Sequence, residues 1–330
     1  MKQLIDRDSQ NVSYGLFEEP IDQVNYKDYK LETSMGYIIP DFIKPIFCNQ
    51  FLFAGIIGPE MMIGLAVVDL KYIANGFVYV YDRATHSMFE AKRITIPTNV
   101  SIDPNPNLVS ALFKPFGFTI SMNKGALFVK SKKIQLDATI DLSQANPLRL
   151  CTRAGYRGWV YTQKTTPLPV KGTITYADQT KQLSSPEYMA LLDWTTGYMR
   201  RDTYWNWAST ACCLPDGRTF GLNLSCGVNE TSFTENAFWV NNVMSKVDMV
   251  QFQFDKNNLY HPWIITSNDQ SIYLEFIPKA DRKEHLNSIL VMSKFTQLMG
   301  QFSGYVITKQ GEKITIESCP GWAEDHFARW

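Results

Sequence analysis

The feature that most constrains the fold of this sequence is an alternation of apolar and polar side chains with a period of two residues. It is longest across 134–142, where every second residue from Ile134 onward is apolar and the residues between are polar. Successive side chains of a β-strand point to opposite faces of its sheet, so this period predicts strands with one buried and one exposed face. The same period recurs at 118–122, 220–224, 250–254 and 272–276. The sequence therefore predicts an all-β protein.

Turn residues between these segments predict antiparallel hairpins. Asn123-Lys124-Gly125, Asp216-Gly217 and the segment 310–312 each place glycine beside a polar residue, as tight hairpin turns require. Strand-like segments spaced about 8–12 residues apart predict roughly sixteen to twenty strands. The best helix candidate is the short segment 185–192, where serine precedes proline in a capping pattern. Because closure removes exposed strand edges, the long strands favour barrels or sandwiches.

The length of 330 residues predicts two domains, since one hydrophobic core seldom grows beyond about 250–300 residues. The segment 163–169 is rich in proline and threonine and is poorly suited to a central strand. We therefore place the domain boundary there, dividing the chain into 1–165 and 166–330. All eight tryptophans lie at position 159 or later. The second domain is therefore expected to hold the aromatic chemistry.

Net charge and hydropathy limit the classes of partner that this protein can bind and the cellular compartment in which we expect it. Lys plus Arg equals Asp plus Glu at 32 each, so no excess of positive charge exists to attract nucleic acid or an anionic membrane. The longest apolar run, 61–68, is well short of the roughly 20 residues that a spanning helix needs. The first ten residues are polar, unlike a signal peptide, and the six cysteines have no framework spacing. We therefore expect six reduced thiols in a cytoplasmic protein.

The residues that usually hold metals and nucleotides are scattered or missing. The four histidines include no pair at ligand spacing, and Cys212 and Cys213 are too close together for a zinc knuckle. The sequence contains no phosphate-binding loop, no glycine-rich dinucleotide motif after a strand and no nucleophile elbow. We expect neither a metal nor a cofactor. The oligomeric state is left open.

Three clusters combine aromatic side chains with polar ones, and the first spans 193–207. On a strand, Trp205 and Trp207 share one face, while Tyr204 and Asn206 share the other. Either the two indoles fill a core or one face contacts a ligand. Asp193 is a candidate acid or base, and an ion pair between it and Arg200 or Arg201 is the competing structural interpretation. The candidate ligand-binding residues of this cluster are Arg201, Tyr204, Trp205, Asn206 and Trp207.

The second cluster spans 221–239. Glu230 and Glu235 bracket a predicted loop, and two carboxylates in this arrangement could share acid–base work. The alternative is that both are solvated loop acids. This interpretation fits Glu235 less well, because Glu235 immediately precedes an apolar predicted strand. The candidate ligand-binding residues here are Asn223, Asn236 and Trp239.

The third cluster closes the chain at 321–330. A terminus usually frays, but this one carries two tryptophans, a phenylalanine and His326 beside two acids, so we expect it to be docked. Histidine titrates near neutrality, which makes His326 the best candidate for proton transfer. The alternative is a histidine that only helps to dock the tail.

At these clusters the sequence resembles a bacterial family known only as domain of unknown function 2804. The resemblance extends over nearly the whole chain and is carried by 193–195 with Gly197, 201–208, 221–224 with Gly227, Glu235-Asn236, Gly321, Glu324-Asp325 and Trp330. More distantly, the all-β layout in two parts is similar to the double-lipocalin group, which includes carotenoid hydratases and tocopherol cyclase. This likeness implies two lipocalin-like, calycin-type antiparallel barrels in tandem with few short helices. It transfers no catalytic residue.

Three functional hypotheses follow. In the first, the second barrel binds an apolar, lipid- or isoprenoid-like molecule and acts as a lyase- or isomerase-type enzyme without a cofactor, through hydration, cyclisation or isomerisation. Asp193, Glu235 or His326 would then transfer the proton, and tryptophan faces would stabilise a carbocation. In the second, the same pocket belongs to a non-catalytic carrier. In the third, tryptophans stack on sugars and paired carboxylates hydrolyse glycosides.

Overall fold

A computed structural model describes residues 1–228, 233–287 and 292–330 of the chain. These residues form antiparallel strands, four single-turn 3-10 helices and no α-helix. None of the helices in these ranges is long and apolar enough to cross a membrane. Glu230, one of the predicted loop acids, lies outside the described residues. The all-β prediction is confirmed, as two curled half-barrel sheets in tandem.

The first sheet contains thirteen strands in the described part of the chain. Along the sheet they follow the order β5-β4-β3-β2-β13-β12-β10-β9-β8-β7-β6, and β11 pairs with both β1 and β12. Its strands are β1 (Gly15–Leu16), β2 (Asn49–Ile57), β3 (Met61–Asp69), β4 (Ala74–Asp82), β5 (Ser87–Thr95), β6 (Val100–Ile102), β7 (Ala111–Phe113), β8 (Thr119–Asn123), β9 (Ala126–Lys130), β10 (Ile134–Ile140), β11 (Leu148–Ala154), β12 (Gly158–Tyr176) and β13 (Gln179–Tyr198).

The second sheet contains nine strands among the same described residues, in the order β17-β16-β15-β14-β22-β21-β20-β19-β18. The first and last strands of this sheet in chain order, β14 and β22, therefore pair with each other near its middle. Its strands are β14 (Asp202–Cys213), β15 (Thr219–Cys226), β16 (Ala237–Val240), β17 (Val243–Lys246), β18 (Val250–Gln253), β19 (Trp263–Ser267), β20 (Ile272–Asn287), β21 (Met292–Ile307) and β22 (Lys313–Arg329).

The alternating segments form the strands that they predict. Strand β10 alternates strictly between buried and exposed residues from its first residue to its last. The turn at 123–125 joins β8 to β9, and both Lys124 (φ 50°) and Gly125 (φ 89°) have the left-handed backbone that a two-residue hairpin turn of this type needs. The turns at 216–217 and 310–312 likewise join β14 to β15 and β21 to β22. Period and turn chemistry together thus account for most of the hairpins.

Two local predictions are wrong. The segment 185–192 is not a helix but part of β13, because 189–192 pair with β2 and the Ser185 hydroxyl donates to backbone carbonyls instead of capping a helix. The segment 163–169 lies in the buried middle of β12 and is not a linker between strands. A bulge between Thr165 and Leu168 accommodates the proline there. The chain passes from the first sheet to the second at 199–201, while the division into domains at 165/166 stays a prediction.

Each sheet encloses its own apolar core, and a third core lies between the sheets. The longest apolar run forms β3, which is buried on both faces: Ile63 and Leu65 belong to the core of the first sheet, and Met62 belongs to the core between the sheets. The second sheet contributes Trp207 and Trp322 to that shared core. A continuous apolar run is the pattern expected of a strand covered on both sides.

The expectation of six thiols is wrong for one pair of cysteines. Cys212 on β14 and Cys319 on β22 form a disulfide, although 107 residues separate them in sequence. The antiparallel pairing of β14 with β22 brings them side by side, a proximity that sequence spacing does not reveal. The remaining four, Cys48, Cys151, Cys213 and Cys226, are thiols.

Candidate functional site

A cavity of about 230 Å³ lies between the two sheets. Each of several strands contributes two residues spaced by two positions, as the alternation of side chains on a strand requires. The first sheet supplies pairs such as Phe51 and Phe53, and the second supplies pairs such as Phe295 and Gln297. Most lining side chains are apolar or aromatic. This candidate cavity is therefore formed by both sheets, whereas the interior of the second sheet is filled by its own apolar core.

The orientation of the 203–209 strand places the two indoles of the first cluster inward. Trp205 and Trp207 both line the cavity, while Tyr204 is 57% exposed. Asn206 lies on the same face as Tyr204 and donates to the Asp325 carboxylate (3.1 Å). The two tryptophans, and not the Tyr204 hydroxyl or the Asn206 amide, therefore line the cavity.

A buried lysine joins two of the predicted catalytic acids. Lys164 Nζ lies 2.5 Å from Asp193 Oδ2 and 3.5 Å from Glu235 Oε2, and all three side chains line the cavity. Lys164 and Asp193 are directly opposite each other on β12 and β13. Burial acts to lower the pKa of Lys164, but the charges of Asp193 and Glu235 outweigh it, and the pKa is raised above its usual value. The ion pair predicted between Asp193 and Arg200 or Arg201 is therefore replaced by one with Lys164.

Glu324 supplies a further carboxyl group to the cavity. Its Oε2 accepts a hydrogen bond from Trp205 Nε1 (3.2 Å), and its Oε1 accepts one from Gln297 Nε2 (2.6 Å). Gln297 is itself held by the Tyr79 hydroxyl, which donates to its Oε1. Burial raises the pKa of Glu324 to about 7, so the carboxyl exchanges its proton near neutrality.

His326 lines the cavity, and its imidazole is neutral at physiological pH. Its Nε2 is 3.1 Å from Ser293 Oγ, and its ring meets Trp205 edge to face with 4.1 Å between centroids. Its Nδ1 has no hydrogen-bond partner among the described residues. Burial lowers the pKa of His326 to about 3, so the prediction that it titrates near neutrality is wrong. The neutral ring can still donate or accept a hydrogen bond.

Arg282 forms a second charged centre in the cavity wall. It is 4% exposed and pairs with Glu90 (2.7 Å) and Glu284 (3.2 Å). Its guanidinium also lies over the rings of Phe77 (4.1 Å) and Phe295 (5.4 Å). Its Nη1 has no hydrogen-bond partner in the described part of the chain. Arg282 thus combines a buried charge with an unused donor.

The other predicted binding residues support the site or lie apart from it. Asn223 accepts from Trp207 Nε1 (2.9 Å) and donates to the Glu235 carbonyl (2.7 Å), so it links two lining residues without reaching the cavity. Asn236 holds the Ser225 and Asp248 backbone. The remaining two are Arg201, which is exposed and donates to the Trp330 carbonyl, and Trp239, which packs in a separate cluster and donates to the Asn146 carbonyl.

Four polar side chains that line the cavity, those of Lys164, Arg282, Gln297 and Glu324, are not among the candidate site residues predicted from the sequence. Glu324 is two positions from His326, so the period-two pattern alone places both on one face of a strand, and that spacing is the signal that could have identified it. Lys164 lies within 163–169, the segment that the sequence predicts to be a domain boundary. Arg282 and Gln297 lie on long strands without a distinguishing local pattern. In the described residues no three His, Cys, Asp or Glu side chains form a metal-binding group, and the absence of a cofactor stays a prediction.

Comparison with known proteins identifies relatives by family and by fold. The family model for the domain of unknown function DUF2804 matches residues 2–330. No curated protein matches the sequence.

Among solved structures, CghA has 8% identity and a TM-score of 0.59, with 100% of this chain and 97% of that chain covered. A protein from Nitrosomonas europaea named ATTH has 12% identity and a TM-score of 0.52, covering 86% and 92% of the two chains. Kievitone hydratase from Nectria haematococca has 9% identity and a TM-score of 0.50, covering 85% and 87%. All three are double-lipocalin-like proteins. At these identities the likeness shows a shared fold.

Proposed function

This chain belongs to the DUF2804 family, and we propose that it binds an apolar, lipid- or isoprenoid-like small molecule between its two sheets and catalyses proton transfer on it without a cofactor. The reaction would be a hydration, a cyclisation or an isomerisation. The observation that carries the proposal is a buried carboxyl group, Glu324, set among aromatic faces in an otherwise mainly apolar cavity. Enzyme pockets commonly combine an apolar wall with a few converging polar groups.

The environment of Glu324 supports a role in proton transfer. A general acid works best when its pKa lies near the working pH. Burial raises the pKa of Glu324 to about 7. Trp205 and Gln297 fix the positions of its two oxygens, so the carboxyl cannot rotate away from a bound molecule. Glu324 is therefore the first choice for the proton donor, ahead of Asp193 and Glu235, which share Lys164.

In a hydration, an alkene carbon takes the proton from the Glu324 carboxyl and its neighbour becomes a carbocation. The faces of Trp205 and Trp207 and the carboxylates of Asp193 and Glu235 stabilise the positive charge. Water then adds to the cation through its oxygen, and the proton that this oxygen releases returns to Glu324. In a cyclisation or isomerisation, a second double bond or an adjacent C–H bond replaces water as the electron source. Kievitone hydratase, which shares the fold, is named for a hydration.

A non-catalytic carrier is the second candidate, since one observation favours it. Both oxygens of Glu324 already accept hydrogen bonds within the protein, as expected of a carboxyl with a structural role. A glycoside-processing role has less support, because Asp193 and Glu235 share one lysine between them and most of the cavity wall is apolar.

The test uses heavy water as the proton source. Purified protein is incubated with a lipid extract of its source cells in heavy water, and deuterated products are sought by mass spectrometry. Native mass spectrometry of the same samples reports any bound small molecule. Wild-type protein is compared with Glu324→Gln and with Glu317→Gln, an exposed glutamate on the same strand, as the matched control.

We expect labelled product from wild type and from Glu317→Gln, and at least about a 100-fold loss with Glu324→Gln while the ligand still binds. Ligand bound by all three proteins without any labelling would establish the carrier instead. Labelling that survives in Glu324→Gln would contradict the role of Glu324. A co-purifying glycan would overturn the proposal altogether.

A further inference from the structure

Two groups of charged side chains lie around the cavity, and in each of them two carboxylates surround one cation. Lys164 is shared by the carboxylates of Asp193 and Glu235, and Arg282 is shared by those of Glu90 and Glu284. Each centre therefore holds two carboxylates around one cation that lines the cavity, and Lys246, which is not a lining residue, also acts on Glu235. Glu324 adds a carboxyl with no cation in hydrogen-bond contact in the described chain. Even with Glu324 neutral, the described residues of the wall carry three carboxylates, Asp193, Glu235 and Glu284, against the two cations Lys164 and Arg282.

This excess determines which charge a ligand can carry. Lys164 and Arg282 are the cations that an anionic head group would seek, but each is already neutralised by two carboxylates. Charges interact more strongly in a buried site than in water, so a carboxylate or phosphate in the cavity is repelled. Fatty acids and prenyl diphosphates, which are common apolar metabolites with anionic heads, are therefore poor ligands.

Arg282 also offers a specific contact to a neutral ligand. Arg282 lines the cavity and is nine-tenths or more buried, and its Nη1, which is itself buried, has no protein partner among the described residues. A buried donor without an acceptor is costly, so a ligand oxygen that accepts from Nη1 would be favoured. A carbonyl or hydroxyl oxygen meets this need without bringing a negative charge.

We propose that the cavity selects neutral apolar molecules that carry a hydrogen-bond-accepting oxygen, held by Arg282, and rejects anionic lipids of the same size. The inference rests on the proposed function in one respect, that the cavity is the ligand site. It goes further by naming the charge class of the ligand and the residues that impose it.

Two fluorescent dyes of one skeleton test the charge selection. N-phenyl-naphthylamine is neutral, and anilinonaphthalene sulfonate is the same ring system with a sulfonate. Titrated into the full-length protein, the neutral dye should bind at least about tenfold more tightly than the sulfonate. Equal affinities, or tighter binding of the sulfonate, would overturn the inference and leave the proposed function standing. If neither dye binds, the cavity is not an apolar ligand site, and both proposals fail.

Charge variants then identify the cause. The double variant Glu90→Gln, Glu284→Gln leaves Arg282 without its carboxylates and should raise the affinity for the sulfonate dye by about tenfold. Glu60→Gln, which removes an exposed carboxylate of the first sheet, is the matched control and should change neither affinity. An unchanged sulfonate affinity in the double variant would show that these carboxylates do not select the ligand.

Displacement of the neutral dye tests the oxygen contact. Phenyl naphthyl ketone and benzylnaphthalene have the same rings, but only the ketone carries an accepting oxygen. The ketone should displace the dye at least about fivefold more effectively from the wild-type protein, as expected for one additional hydrogen bond. That advantage should vanish in Arg282→Met, Glu90→Gln, Glu284→Gln, which removes the whole charged group, with folding checked by circular dichroism. Equal displacement by both compounds in the wild-type protein would refute the contact.

Discussion

Glu324 and His326 are two positions apart on one strand, line one cavity and have pKa values shifted in opposite directions. Burial disfavours the charged form of each, and this raises the pKa of the carboxyl from 4.5 to about 7 and lowers that of the imidazole from 6.5 to about 3. Both groups are therefore held neutral over the range between those values. A neutral acid and a neutral ring in an apolar cavity are suited to a neutral ligand.

The paired shifts predict opposite pH slopes of stability in two single variants. As pH rises from 4.5 to 7, the unfolded state loses the Glu324 proton before the folded state does, so the free energy of unfolding falls by about 3 kcal/mol. As pH falls below 6.5, the unfolded state binds a proton on His326 that the folded state does not accept, so the free energy of unfolding falls in that direction too. Between pH 4.5 and 6.5 the two effects oppose each other.

Urea unfolding measured across this range should separate them. The stability of Glu324→Gln, which retains the histidine effect, should rise with pH relative to wild type between 4.5 and 6.5. The stability of His326→Gln, which retains the carboxyl effect, should fall over the same range. Glu317→Gln serves as the control and should follow wild type. Parallel curves for all four proteins would show that neither residue is held neutral by burial.

Sequence alone could place these residues but not their protonation. The alternation along the last strand puts Glu324 and His326 on one face, and the aromatic neighbours are evident from the sequence. The pKa of each depends on how completely the first sheet covers that face, which is a property of contacts hundreds of residues apart. The residue type therefore predicts a titration of His326 near neutrality, which its burial prevents.

At the scale of the strands, period and turn residues predicted short hairpins well and long central strands poorly. Strand β10 has one wet and one dry face, so its sequence alternates. Strands β12 and β13 are covered on both faces through much of their length, and there the alternation disappears. The prolines and threonines of β12 then look like a linker, whereas the helix-like segment of β13 begins with Ser185, Pro186 and Glu187, which are not buried. Burial on both faces thus removed the signal on which the sequence analysis relied.

Lys164 lies in the segment 163–169, which the sequence predicts to be a linker and the structure places in a strand. It lies in the middle of β12, opposite Asp193 on β13, and reaches Glu235, which precedes β16 of the other sheet. Replacing it by methionine leaves two buried carboxylates without their cation, so we expect Lys164→Met to lower the free energy of unfolding by about 3–5 kcal/mol in urea titrations. The triple variant Lys164→Met, Asp193→Asn, Glu235→Gln removes the charges together and should recover most of that loss.

Lys2→Met is the control for this series, because it breaks an exposed ion pair with Glu19 and should cost less than about 1 kcal/mol. A similarly small loss in Lys164→Met would show that the buried centre is hydrated and carries little energy. Failure of the triple variant to recover stability would mean that Lys164 acts through packing instead of charge.

At the scale of the whole molecule, the cavity depends on how the two sheets meet. The sequence predicted a ligand site in the second half because every tryptophan lies at 159 or later. The structure uses the second sheet for one wall and forms the other from the first sheet, including β2, β3 and β4, which have no tryptophan, together with residues of β5, β12 and β13. No local pattern in 49–82 distinguishes a face that covers another sheet from a face that covers a core.

Gly55 tests this arrangement, because it is a point of close contact between the sheets. It lies on β2, and a Cβ built there would come within 2.7 Å of the Trp322 ring on β22. Gly55→Ala and Gly55→Val should therefore force the sheets apart in proportion to side-chain size, with a loss of about 1–3 kcal/mol for the larger one. Because the cavity has a wall from each sheet, affinity for the neutral naphthylamine dye should fall in the same order. Trp fluorescence and circular dichroism during urea unfolding provide the stability measurement. If both variants lose stability but bind the dye as wild type does, the ligand site lies within one sheet and not between the two.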